Sequence, residues 1–152
     1  MKKIRASTDK IIEWSLITIL SVMVINVLWQ VFTRFFTATP SSFTDELARY
    51  LMIWLGILGA AYVAGKNEHV AIDFFAKKVS ASKQKLISKF ISAAVLSFAF
   101  FGMVVGGSRL VYITTKLEQF SPSLKIPLAL VYGVIPLSGL LIIFYKLTQN
   151  KK

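Results

Sequence analysis

The sequence predicts an all-α integral membrane protein with four transmembrane helices and a short amphipathic interfacial helix in the central connection. Three observations lead there. Several runs with almost no charge reach the ~18 residues expected of a spanning helix. Only 16% of the chain is charged, against about 25% in a soluble domain, and those charges gather between the apolar runs. Two of the links between runs are short, which makes the helices they join antiparallel neighbours. The mean hydropathy of +0.65 agrees. A soluble helical bundle with greasy helices is the reading that the long runs disfavour. Cysteine is absent, which excludes a disulfide framework and a thiolate metal site.

The first ten residues, MKKIRASTDK, are basic and polar, like the start of a signal peptide. The apolar run that follows, about 11–36, is too long for a signal-peptide core and lacks a clear small-residue cleavage site, so it reads as an uncleaved first span. At ~1.5 Å per residue it exceeds a ~30 Å hydrocarbon core and must tilt or protrude. Glu13 then lies at one edge and Arg34 at the other. Ser15, Thr18, Asn26, Gln30 and Thr33 share a face of this helix. Polar groups in lipid need partners, so that face is expected to meet protein, with Asn26 and Gln30 as its centre.

The link TATPSSF returns the chain into a second span, about 44–65. Thr44 is placed to cap it. Asp45 and Glu46 suit the positive end of the helix dipole, and Arg49 is close enough along the helix to pair with them. Gly56, Ala60 and Ala64 fall at i, i+4 and i+8, a small-residue stripe that admits another helix. Between Lys66 and Lys85, Val70, Phe74, Phe75 and Val79 recur at roughly helical spacing beside Lys77 and Lys78. This predicts a helix lying at headgroup level over about 68–80, with His69, Asp73, Phe74 and Phe75 as its notable residues.

A third span is expected over about 86–115. Gly102 and Gly106 form a GxxxG within it, followed by Gly107, and Arg109 comes near its far end. After KLEQFSPSLK, a fourth span covers about 126–147. Pro127 suits its first turn, and Pro136 should kink its interior. All four spans fall in one membrane domain, residues 1–152, with no internal repeat.

Thirteen of the eighteen Lys and Arg residues fall at the N-terminus, in the central connection or at the C-terminus. The positive-inside rule then puts both termini and that connection in the cytoplasm. The net charge of +11 is therefore a topology and anionic-lipid signal, and nucleic acid is not an expected partner.

No catalytic, cofactor or metal residues are expected. A haem held between two histidines needs a second histidine beside His69, the single one present. His69 lies near Glu68 and Asp73, but that spacing matches no compact ligand motif and reads better as an interfacial histidine. No nucleophile elbow or phosphate-cradling loop is present. Charged residues in spans are the default functional candidates of a membrane protein. Here they sit at span ends, with no acidic residue mid-membrane to couple protons or cations. Arg34, Asp45, Glu46 and Arg49 admit two main readings: an ion-pair cluster that meets a partner subunit, or interfacial solvation with helix capping.

Five stretches are familiar in their order and spacing: NVLWQVFTR at Asn26–Arg34, DELARYL at Asp45–Leu51, WLGILGAA at Trp54–Ala61, HVAID at His69–Asp73, and SPSLKIPLALVY at Ser121–Tyr132, followed by Pro136. With the four-span layout, the chain resembles the small membrane subunit, the DctQ-like family, of tripartite ATP-independent periplasmic (TRAP) transporters. The resemblance implies a division of labour. A periplasmic protein captures an organic acid such as a C4-dicarboxylate, a sugar acid or sialic acid. A large multi-span permease moves it inward with sodium. The small subunit holds neither site, packs on the permease scaffold in the bacterial inner membrane and helps dock the binding protein. By the same resemblance, Arg34, the Asp45–Arg49 turn and the loop near Ser121–Lys125 face the periplasm, while the segment near His69–Val79 braces the complex at the cytoplasmic surface. Two rivals stand beside it: a self-sufficient small four-helix exporter acting as a homodimer, and a membrane anchor for a redox enzyme.

Overall fold

The computed structural model describes residues 2–37, 41–66 and 81–149. The interfacial segment expected over 68–80, with His69, Asp73, Phe74 and Phe75, lies outside them. Four helical stretches are long and apolar enough to cross a membrane: Arg5–Phe36, Ser42–Lys66, Lys89–Lys116 and Leu128–Thr148. The chain is thus an all-α, multi-pass membrane protein.

α1 (Lys2–Thr37) is one unbroken helix of 36 residues. It holds no Gly or Pro, and its hydroxyls do not compete with its ladder. Ser15, Thr18 and Ser21 each donate to the carbonyl four residues back, at 2.9, 2.9 and 2.8 Å. This corrects the expectation that Ser15 and Thr18 need a protein neighbour, because the helix itself satisfies them. Thr33 likewise donates to the Gln30 carbonyl at 3.0 Å. Asn26 does reach across, as described below.

α2 (Ser42–Lys66) begins two residues ahead of the expected start. Thr44 is therefore inside the first turn and is not the cap, and its hydroxyl donates to the Ser41 carbonyl at 2.9 Å.

The third span is not a single α-helix. α3 (Ala81–Ser97) passes into a nine-residue π-helical segment, Phe98–Gly106, and then into α4 (Gly107–Lys116). Most π-helices are single-turn bulges, so this one is long. Its wider turns bring Ala99, Met103 and Gly107 onto the buried side. Phe98, Phe100, Phe101 and Val105 face outward.

The fourth span is also divided. α5 (Leu128–Tyr132) and α6 (Val134–Gln149) meet at Gly133. Pro136 has no N–H to give the Tyr132 carbonyl, so the ladder breaks one turn before the proline. Pro127 sits just ahead of the helix as its N-cap, with ψ 126°.

α2 lies between α1 and α6, and the third span packs on the other side of α6. The core joins Ala61 and Ala64 of α2, Ala99 and Met103 of the π segment, and Ile142 of α6. Close approach depends on two glycines. A Cβ on Gly139 would lie 2.8 Å from Met103 Cβ and 3.0 Å from the Ala99 carbonyl. A Cβ on Gly107 would lie 2.8 Å from Ile135 and 2.9 Å from Pro136. Beside Gly139, the fully buried Ser138 hydroxyl has no hydrogen-bond partner among the described residues.

A Gly139→Ala variant should lose about 1–3 kcal/mol through overpacking against main chain. Gly56→Ala, where the added methyl meets open space, should change stability by less than about 0.5 kcal/mol. Ser138→Ala removes an unsatisfied buried hydroxyl and should hold or raise the Tm. Thermal unfolding of the purified variants in detergent compares all three.

Candidate functional site

The four charges singled out at one end of the spans do not form one cluster. Asp45 and Arg49 pair on the first turns of α2 at 3.0 Å, with both side chains more than half exposed. An exposed pair one turn apart contributes little to stability, so its charges are free to be read from outside. Glu46 turns elsewhere. Its carboxylate accepts the Tyr50 hydroxyl at 2.9 Å and the backbone N–H groups of Ser123 and Leu124 at 2.8 and 3.2 Å. Arg34 stands exposed in the last turn of α1, where a cation suits the helix dipole. It takes no part in the Asp45–Arg49 pair.

Glu46 thereby shapes the loop between α4 and α5. That loop is closed by Ser121 N–H to the Ile126 carbonyl and Leu128 N–H to the Gln119 carbonyl, both at 2.9 Å. Leu124 N–H also reaches the Ser121 hydroxyl at 3.2 Å. Glu118 and Lys125 take positive φ of 46° and 54°, a region that side chains rarely adopt. A turn with two such residues needs outside fixing, and the Glu46 carboxylate supplies it.

Two more links tie the outer halves of the spans. Asn26, buried on α1, donates to the Thr44 carbonyl of α2 at 2.7 Å. The Trp54 indole donates to the Val131 carbonyl of α5 at 3.0 Å, next to the break that Pro136 imposes. Gln30 is half-buried one turn beyond Asn26.

The small-residue stripe divides in two. Ala64 is in the core, whereas Gly56 and Ala60 face outward. Gly102 and Gly106 are also exposed. The GxxxG is thus not what packs the chain's own helices, because the π turns direct Gly107 inward instead. Gly56, Gly59, Ala60, Gly102 and Gly106 leave shallow surface on which another helix can lie close.

At the opposite end is a cluster that sequence reasoning missed. The Arg5 guanidinium donates to the Gly65 carbonyl and sits 5.9 Å above the Tyr145 ring. The Tyr145 hydroxyl donates to the Asp9 carboxylate. Gly65 has no room for a side chain, since a Cβ would lie 2.9 Å from that ring. One aromatic residue thus joins the starts and ends of three helices. The available signal was Arg5 and Asp9 at i, i+4, which counted there only towards topology. Among the described residues, no group of three or more His, Asp or Glu side chains is placed to hold a metal ion.

What the geometry offers is a braced bundle with outward charges at one end and shallow faces between, the layout of a membrane subunit built to hold to another. The comparisons with known proteins give that class a family. A family model described as "Tripartite ATP-independent periplasmic transporters, DctQ component" matches residues 23–150. The chain belongs to this family of small TRAP permease subunits. A TRAP transporter small permease protein of Haemophilus influenzae is 29% identical over 93% of this chain and 86% of its own length. The C4-dicarboxylate TRAP transporter small permease protein DctQ of Rhodobacter capsulatus is 30% identical over 66% of this chain and 44% of its own. The sialic acid TRAP transporter permease protein SiaT of Haemophilus influenzae is 28% identical over 57% of this chain, which spans only 14% of that longer protein.

Replacing Glu46 with Gln weakens the acceptor that orders the loop. Amide exchange at Ser123 and Leu124 should then quicken several-fold, while Trp54 and the inner half of α2 stay as protected as before. Hydrogen–deuterium exchange of the purified chain reads both.

Proposed function

We propose that this chain is the small accessory subunit of a TRAP transporter, bracing a large multi-span permease in sodium-coupled uptake of an organic acid. The family match over residues 23–150 carries this reading. SiaT supports the large partner, because a permease of greater length contains a segment similar to this chain. The relatives' printed substrates are sialic acid and C4-dicarboxylates. Both are carboxylates, hence the substrate class. The site for it is assigned to the large subunit, since the charges described here serve the bundle's ends. A periplasmic protein would deliver the substrate to the outer end, where Arg34, the Asp45–Arg49 pair and the Glu46-held loop lie. The thirteen basic residues on the other side favour cytoplasmic termini in a bacterial inner membrane.

In this arrangement Gly56, Ala60, Gly102 and Gly106 form the close-packing faces toward the permease, and Asp45 and Arg49 add charge at their outer rim. The segment with His69, Asp73, Phe74 and Phe75 would rest against the complex at the cytoplasmic surface.

The test is to tag the chain, extract it gently from native membranes and identify what copurifies. A large permease in near-equal amount, active in sodium-driven uptake with its binding protein, is the expected result. A self-dimer alone, or recovery with redox subunits, would sink the proposal. Arg49→Glu should reduce complex yield roughly two- to fivefold, the range of an exposed ion pair, without changing which acid is taken up. A changed substrate preference would contradict a bracing role.

A further inference from the structure

We propose that the N-terminal third of α1 carries a binding site for an anionic phospholipid. A groove of about 660 Å³ follows this part of the helix and is lined, among the described residues, by Ser7, Lys10, Ile11, Trp14, Ser15, Thr18 and Ile19. The residues recur at i, i+3, i+4, i+7 and so form a single helical stripe. Ser7, Lys10 and Trp14 lie across the helix from Arg5, Asp9 and Ile12, which turn toward α2 and α6, whereas Ile19, two turns on from Ile12, comes round to that side.

Its polarity changes with depth. Ser7 and Lys10 stand at the end nearest the chain's start, where α1 leaves the membrane. Ile11, Trp14 and Ile19 continue for about 12 Å along the axis at the helical rise. The two hydroxyls on the way are already spoken for: Ser15 donates to the Ile11 carbonyl and Thr18 to the Trp14 carbonyl. Below Lys10 the groove thus makes no polar demand on an occupant. A charged head followed by an apolar chain matches this order. Tryptophan also favours the headgroup boundary, and Trp14 is 61% exposed there.

The sign of the head follows from Lys10. Its ammonium is exposed, and among the described residues no ion pair involves it. Asp9, its neighbour in sequence, is held by Tyr145 on another face. An ammonium at the membrane surface attracts anionic headgroups. A packed partner helix fits less well, because Ile11 and Trp14 are bulky where a close crossing needs small residues.

The full chain, with whatever subunit accompanies it, should be purified in mild detergent and titrated with phosphatidylglycerol or phosphatidylcholine. Native mass spectrometry counts the lipids retained. Phosphatidylglycerol should be held about fivefold better, the effect of one basic residue near a surface. Lys10→Glu should abolish that preference, and Lys10→Gln, a gentler change to the fold, should reduce it. Lys116→Glu, far from the groove, should leave it intact. Because the chain has no cysteine, Ser7→Cys gives a unique attachment point for a photo-crosslinker, and the captured adduct should be phospholipid. Equal retention of the two lipids, or an unchanged preference in both Lys10 variants, overturns the proposal. So does capture only of a copurifying protein, which would assign the groove to a subunit. Lipid capture is independent of which permease copurifies, so this result and the subunit assignment can fail separately.

Discussion

The third and fourth spans approach closely at two glycines, and the rest of the bundle depends on that contact. Gly139 sits against Met103 and the Ala99 carbonyl, and Gly107 against Ile135 and Pro136. Helices this close must align their small residues over several turns. Here the third span takes nine residues of π-helix opposite Gly139, with Ala99, Met103 and Gly107 on its buried side. The opposing helix is broken by Pro136. In lipid a broken ladder requires replacement partners, and the indole of Trp54 adds a hydrogen bond one residue before the orphaned Tyr132 carbonyl, at Val131. Two irregular spans and the straight α2 thus support one another.

α1 stands apart from this arrangement. Its residues are absent from the central core, and a series of large side chains from Ile11 to Phe36 faces outward. It is held to α2 by Asn26 toward one end and by Arg5 at the other, where Asp9 also binds Tyr145 of α6. These attachments are polar and specific, as expected where apolar burial gives helices little reason to associate. In the proposed bracing role, three spans would supply a stable part, and α1 with the outward glycines much of the part presented to a neighbour.

The spans were legible in the sequence because hydropathy over some twenty residues is a strong signal, and in lipid it admits few other structures. The breaks were less so. Pro136 announced its kink through missing chemistry, but no residue in Phe98–Gly106 announces a π-helix, and the segment packs on Gly139 some forty positions later. The outer charges were found as a group and then separated by distance. Arg49 could pair at i, i+4 by local spacing, whereas the partners of Glu46 are 77 and 78 residues away. The Tyr145 cluster escaped for the same reason, because its hydroxyl and its carboxylate partner are 136 residues apart.

The hold of Glu46 on Ser123 and Leu124 also sets an order in time. The chain emerges from its N-terminus, so the carboxylate is in place well before the segment it orders has been made. The loop's own hydrogen bonds, among them Glu118 N–H to the Thr115 carbonyl and Lys125 N–H to the Ser121 carbonyl, are local, but the two that Glu46 accepts must wait until the later spans come to rest beside α2. That last hold records that the second span and the later two have found each other.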